Sequence, residues 1–282
     1  MNQQNQHDTS IIALSTLIGH LGQCARRFDV SLLPKCTSTN TELLQRAESG
    51  AGSGTVVAAD EQTEGRGRRG RTWLSAQGDS LTFSVLWKFK PGTAPAGLSL
   101  AVGLAVVDAV EASRVGTGDT LQSESSWGTV NDRSMQLKWP NDILLGNKKL
   151  GGVLIELLPG APHAAVIGIG LNLRLPEALP DEVRANSAAL NAPVEPAFLL
   201  AKILSELAQV LDKFAIGGFA AVRPQWMERH AFQDKLVELS SDFAEPQRGI
   251  CRGVDNDGAL RVEIEGRIQR FLSGEISLRT LT

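Results

Sequence analysis

The sequence is poor in cysteine: its three thiols, Cys24, Cys36 and Cys251, lie far apart and form no Cys-x-x-Cys pair. An odd, scattered set argues against a disulfide framework or a cysteine-built zinc site and fits a reducing compartment. Cys36 lies beside a motif described below, where a small core-like thiol is its expected role. Long apolar runs are missing too, and none approaches the roughly 20 residues that span a bilayer. The start, MNQQNQHDTS, is polar and lacks the basic-then-apolar order of a secretion signal. These absences predict a cytoplasmic protein without membrane contact. Nor does one sign of charge dominate. A formal net charge of -3 gives no global field to recruit nucleic acid or an anionic surface, so any basic site must be local.

What is present is an ordinary globular composition, 42% hydrophobic and 21% charged, over 282 residues. That length holds one large or two modest domains, each with its own core. Residues 1–34 are expected to be a polar tail and one short helix, with Leu14, Leu17, Ile18 and Leu21 on a face. Thr37–Ala47 reads as a helix start: Thr39 and Glu42 have capping-box spacing, and Leu43, Leu44 and Ala47 supply an apolar face. Thr55–Ala59 is a short strand running into a glycine- and arginine-rich stretch at 60–72. After Trp73, the residues Leu81, Phe83, Val85 and Trp87 alternate with Thr82 and Ser84 as in a strand.

Gly97–Glu111 has helical periodicity. Residues 113–134 are polar and aperiodic, which predicts an exposed insertion loop. Leu137–Trp139 and Ile143–Leu145 read as strand pieces, with Gly146-Asn147 turning into a strand at Lys149–Leu157. Ala164–Leu173 is a further buried strand. Phe198–Phe214 is the clearest helix, and Phe219–His230 reads as a second. From Gln233 the texture changes to short strands at Leu236–Leu239, Gly249–Val254, Leu260–Ile264 and Arg267–Leu272, divided by turn residues. The predicted fold class is α/β (α+β). A mixed-sheet body occupies 35–232 and a small all-β domain occupies 233–282.

Two segments carry chemistry. Gly65-Arg66-Gly67-Arg68-Arg69-Gly70-Arg71 follows a strand and has G-x-G-x-x-G spacing, but it leads to another strand instead of opening a helix, which argues against dinucleotide binding. Arginines between glycines suit phosphate or carboxylate oxygens, because guanidinium binds them through paired hydrogen bonds. A solvated basic turn or a nucleic-acid patch is the plainer alternative. Gln62 and Trp73 flank the loop, and an indole beside an anion site is a stacking platform for adenine.

The second segment is Lys138-Trp139-Pro140-Asn141-Asp142-Ile143, followed by Lys149-Leu150-Gly151-Gly152 and Glu156. A lysine in an apolar strand needs a carboxylate or ligand partner. Asn141 and Asp142 suit ligand binding or a water-mediated Mg2+ contact; a hairpin with exposed lysines is the alternative. Two weaker features accompany them. Ser38-Thr39-Asn40 at a helix N-terminus favours a carboxylate or carbonyl, or is simply a cap. Gly168-Ile169-Gly170-Leu171-Asn172 alone is ordinary core packing.

Taken together, CTSTN, GRGRRGRTW, KWPNDI followed by KKLGG, GIGLN and the terminal GEISLR resemble, in this order, the motifs of bacterial biotin–protein ligases over roughly residues 35–282. The resemblance implies a mixed α/β catalytic domain related to lipoate ligases and an SH3-like C-terminal domain. It implies that Ser38, Thr39, Asn40 and Gln62 line a biotin pocket, and that Arg66, Gly67 and Arg68 order over biotin and its adenylate. Trp73 would stack on adenine, with Arg69, Arg71, Asn141, Asp142 and Asn172 near the nucleotide and Glu275 and Arg279 closing from the small domain. Lys149 corresponds to the lysine that contacts the reacting carboxylate and α-phosphate, with Arg66 and Arg68 beside it.

The implied reaction uses ATP and Mg2+ to activate biotin and transfers it to a lysine of a biotin carboxyl carrier protein of acetyl-CoA carboxylase or a related carboxylase. No metal ligand is directly predicted; Mg2+ would come with ATP, near Asp142. Family members that double as repressors carry a winged helix-turn-helix before the first motif. Residues 1–35 are too few to hold one, so direct DNA binding is not expected. Monomer and homodimer both stay open. The rival readings are a lipoate–protein ligase, a nucleic-acid-binding regulator using Arg66–Arg71, and a catalytically silent biotin sensor.

Overall fold

A computed structural model of the chain describes residues 10–115, 135–177, 179–240, 245–272 and 276–280. Seven strands form the main sheet: β1 (Asp29–Cys36), β2 (Thr55–Gln62), β3 (Ser80–Lys88), β4 (Met135–Lys138), β5 (Asp142–Leu145), β6 (Lys148–Leu158) and β7 (Ala161–Asn172). Their spatial order is β1-β2-β3-β7-β6-β5-β4, with β1 parallel to β2 and every other pair antiparallel. Helices cover both faces, so β3 is buried along all but its last residue. The alternation of Leu81, Phe83, Val85 and Trp87 with Thr82 and Ser84 therefore separates two buried faces, not a core from solvent.

On one face α1 (Leu14–Leu21), α3 (Leu98–Val115) and α5 (Pro196–Gly217) pack over a continuous core that includes Leu17, Val106, Leu204 and Phe214. On the other, α2 (Thr39–Glu48) packs Leu43 and Ala47 onto Val57, Leu86 and Val166. Because α2 is short, it covers only part of that face. The uncovered part becomes the site described below.

A second sheet, in the order β11-β10-β9-β8-β12, is antiparallel throughout. It comprises β8 (Leu236–Ser240), β9 (Gln247–Val254), β10 (Leu260–Ile264), β11 (Arg267–Phe271) and β12 (Ser277–Thr280). Side-chain-to-backbone hydrogen bonds join it to the first unit. Trp139 is fully buried and its Nε1 donates to Gly258 O at 3.0 Å, while Arg223 Nε donates to Val254 O at 2.7 Å. Gly258, at φ +81°, lies so close to the body that a Cβ there would sit 2.7 Å from Gly97 Cα.

Several expectations are corrected. The expected boundary at residue 35 falls inside β1, which pairs with β2 and belongs to the main sheet. In the N-terminal helix only Leu17 and Leu21 are buried; Leu14 and Ile18 face solvent, and residues Gly22–Arg27 continue as a 3-10 helix. The N-cap of α2 is Ser38, not Thr39, so the Thr39–Glu42 capping box does not form. Residues 113–115 complete α3, and 116–134 lie outside the described residues. The expected helix at 219–230 is broken into a 3-10 turn, Phe219–Ala221, and a short α6 (Arg223–Glu228) with Pro224 in its first turn. A one-and-a-half-turn helix, α4 (Asp181–Ala185), has no counterpart in the pattern analysis.

Candidate active site

The uncovered face of the sheet is paved with small residues. Gly152 of β6 pairs with Gly170 of β7, Leu154 pairs with Gly168, and Thr82 of β3 faces Gly170 from the other side. All five line one pocket. The glycines are there because other elements need the space. A Cβ on Gly168 would sit 2.2 Å from Asn40 Oδ1, and one on Gly170 would sit 2.5 Å from the Trp73 ring. Thus Gly168 lets the first turn of α2 settle on the sheet, and Gly170 lets the indole lie against it.

At that first turn Ser38, Thr39 and Asn40 are buried, each under 5% exposed. Thr39 donates to Gln62 Oε1 from its backbone N (2.7 Å) and its hydroxyl (3.1 Å). Ser84 Oγ lies 2.8 Å from Thr39 Oγ1 and 2.5 Å from Asn40 Oδ1, and Asn40 Nδ2 donates to Glu156 Oε2 at 2.7 Å. This end of the pocket is uncharged, polar and pre-organised, with donors and acceptors held by their own network.

The arginine loop forms the wall. Trp73 N donates to Gly65 O at 2.8 Å and Gly67 N to Arg71 O at 2.7 Å, so the loop folds back on itself instead of opening an α-helix. Its one turn is 3-10, Arg68–Gly70, with Arg69 in the left-handed region at φ 58°. Arg66 Nη2 donates to Glu156 Oε2 at 2.8 Å, and Arg68 Nη1 to Asn141 Oδ1 at 3.3 Å. Burial pulls the Arg68 pKa down, neighbouring Arg69 and Arg71 add to that pull, and Asp142 opposes it. A guanidinium held in this way gains when an anion enters.

Opposite the loop lies a charged cluster. Asp142 Oδ1 is 2.8 Å from Lys149 Nζ, and its Oδ2 is 3.3 Å from Lys138 Nζ. Burial raises the Asp142 pKa, but the two lysines outweigh it and hold the carboxyl below its ordinary value of 3.8. Two ammonium groups against one carboxylate leave the cluster net positive. Lys149 Nζ also lies 5.9 Å from the Trp73 ring centroid, and Trp73 Nε1 is buried with no hydrogen-bond partner among the described residues. Asn141 is locked by a reciprocal pair: its Nδ2 donates to Val153 O (2.9 Å) and Val153 N to Asn141 O (3.0 Å).

The structure therefore brings Ser38, Thr39, Asn40, Gln62, Arg66, Gly67, Arg68, Arg69, Arg71, Trp73, Asn141, Asp142 and Lys149 to one pocket, and Arg279 reaches it from β12. Asn172 is not among the lining residues. Its Nδ2 donates to Ala188 O at 2.9 Å and pins the chain that follows α4. Glu275 lies outside the described residues. Motif reading had not singled out Thr82, Ser84, Gly168 and Gly170 as site residues; only the strand register reveals them.

The Biotin/lipoate A/B protein ligase family model matches residues 32–172, and the Biotin protein ligase C terminal domain model matches 244–279. The chain belongs to this ligase family. It is 34% identical to the bifunctional ligase/repressor BirA of Escherichia coli over 89% of this chain and 74% of that protein. It is 32% identical to a biotin–[acetyl-CoA-carboxylase] ligase of Mycobacterium tuberculosis over 92% of this chain and 91% of that one. Among solved structures, the biotin protein ligase of Aquifex aeolicus in complex with biotin and ATP superposes with a TM-score of 0.73 at 29% identity, covering 90% of this chain and 99% of that one. The two family models fall on the two sheets: the first ends at Asn172 at the close of β7, and the second runs across β9 to β12.

Proposed function

We propose that this protein is an ATP-dependent, AMP-forming biotin–protein ligase. The observation that carries the reading is one pocket with a neutral hydrogen-bonding end at Ser38–Asn40 and Gln62, and a cationic end at Lys138, Lys149 and the Arg66–Arg71 loop. An acid with a polar, uncharged head fits the first end. Its carboxylate, together with a nucleotide phosphate, fits the second.

The reaction proceeds in two steps. A carboxylate oxygen of biotin attacks the α-phosphorus of ATP, the P–O bond to the β-phosphate breaks, and biotinoyl-5′-AMP and pyrophosphate result. The amine of an acceptor lysine then attacks the carbonyl carbon of the mixed anhydride, loses its proton, and expels AMP. Lys149, drawn forward by Asp142, and Arg68 stabilise negative charge developing on the phosphate oxygens. One such pre-organised donor is typically worth ~3–4 kcal/mol of barrier. Trp73 offers its ring to adenine. Arg66 and Gly67 close over the anhydride and keep water from it.

Mg2+ would enter with the nucleotide and share the phosphate charge. Among the described residues no set of three His, Cys, Asp or Glu side chains clusters as metal ligands, and Asp142 is the carboxylate lining the pocket. The acceptor is read as the lysine of a biotin carboxyl carrier protein, and the setting as the cytoplasm. No described helix is long and apolar enough to cross a membrane.

A lipoate ligase of the same fold is disfavoured by the buried Thr39–Gln62 and Asn40–Ser84 network. A polar head can use the hydrogen-bonding capacity these groups keep beyond their own network, which a dithiolane ring cannot. Pyrophosphate release with ATP and Mg2+, compared for biotin, lipoate and no acid, tests the reading. Release with biotin alone is expected; release with lipoate alone overturns the substrate assignment.

A further inference from the structure

Four groups from four elements form a hydrogen-bonded chain beside the pocket: Ser84 on β3, Asn40 on α2, Glu156 on β6 and Arg66 in the loop. Ser84 Oγ contacts Asn40 Oδ1, while Asn40 Nδ2 and Arg66 Nη2 both donate to one oxygen, Glu156 Oε2, at 2.7 and 2.8 Å. Glu156 does not line the pocket and neither chemical step uses it. It pairs with Val166, two residues along the ladder from the Leu154–Gly168 pair that underlies Asn40.

An ionised carboxylate can only accept hydrogen bonds, whereas a primary amide can present either its oxygen or its nitrogen. Glu156 therefore dictates which way the buried Asn40 amide points: nitrogen toward the carboxylate, oxygen toward Ser84. The same oxygen gives the loop a charge-assisted anchor on the rigid sheet. We propose that Glu156 is a positioning residue that sets the Asn40 amide for recognition of the acid substrate and seats Arg66 above the same cavity. The inference rests on the biotin-ligase reading and adds to it a coupling between acid recognition and loop placement. The two arms are unequal. The Arg66 side chain is 42% exposed, so its ion pair is screened by solvent, and the buried Asn40 arm carries most of the effect.

Glu156→Gln in the full-length chain keeps the shape but lets the side chain donate as well as accept, so the amide orientation is no longer dictated. The KM for biotin in pyrophosphate release should rise about tenfold, the scale of one lost hydrogen bond to a charged group, with the KM for ATP unchanged. Combined with Asn40→Ala, the rise should be well below the product of the two single effects, because one residue acts through the other. Loss of folded enzyme would lower kcat and leave the biotin KM unchanged, so that result contradicts the inference. So does a wild-type biotin KM in Glu156→Gln, or a double variant in which the effects simply multiply. If the unsubstituted protein shows no biotin-dependent release, the ligase reading itself has failed and this inference falls with it.

Discussion

Two glycine-rich segments meet in the pocket and use glycine for different ends. In residues 65–71 the glycines serve the loop's own backbone: a Cβ on Gly65 would strike Trp73 O at 2.3 Å, and Gly70 sits at φ +67°. In residues 168–170 they serve side chains arriving from far away in sequence, Asn40 onto Gly168 and Trp73 onto Gly170. The loop places Arg66, Arg68, Arg69 and Arg71 on the pocket wall. The strand presents empty space, in which other elements place theirs. Stability should therefore depend on the strand and turnover on the loop.

The largest expected stability effect lies on the strand. Gly168→Ala drives a methyl group into an Asn40 side chain that Ser84 and Glu156 hold in place. Overpacking of this kind should cost about 2–3 kcal/mol in denaturant unfolding and weaken biotin binding with it. An unchanged midpoint would break the contrast.

A site remote from both segments calibrates it. His230 is 6% exposed with its ring 4.7 Å from that of Trp226, and burial lowers its pKa from 6.5 to about 4. Between those values the unfolded chain binds more protons, so stability falls as pH drops through the window. The loss should be about 2 kcal/mol between pH 7 and 5, and it should be absent from His230→Phe measured the same way. Removing the hydrogen bond between the two sheets with Trp139→Phe should cost about 1 kcal/mol, read from the unfolding free energy. The smallest effect belongs to the loop: Arg66→Ala should change stability by less than about 0.5 kcal/mol, while pyrophosphate release drops. A large loss of stability there would erase the distinction between the two segments.

How far each feature could be read from sequence follows the same division. The α5 helix and the strands β8 to β11 were legible because their apolar spacing repeats over enough residues, whereas β12, four residues long, was not expected from the pattern. The first strand was not: β1 is a sheet edge, half-buried along most of its length, with Pro34 inside it and no clean alternation. Lys149, Asp142, Trp73 and the loop arginines stand out because their chemistry is unusual for their surroundings. Glu156, Ser84, Gly168 and Gly170 are unremarkable residue types whose roles exist only through strand register and the seating of α2. Asn172 shows the reverse: it lies in a recognisable motif, yet its amide is engaged by Ala188 O and it does not line the pocket.

The proposed function places acid activation on the Lys149–Asp142 pair at the cationic end, apart from recognition at the neutral end. The most direct test compares Lys149→Ala with the unsubstituted protein in biotin-dependent pyrophosphate release, and measures biotin binding by calorimetry on the same samples. A fall in turnover of about 100-fold or more with biotin affinity retained is expected. Undiminished release in Lys149→Ala would contradict it.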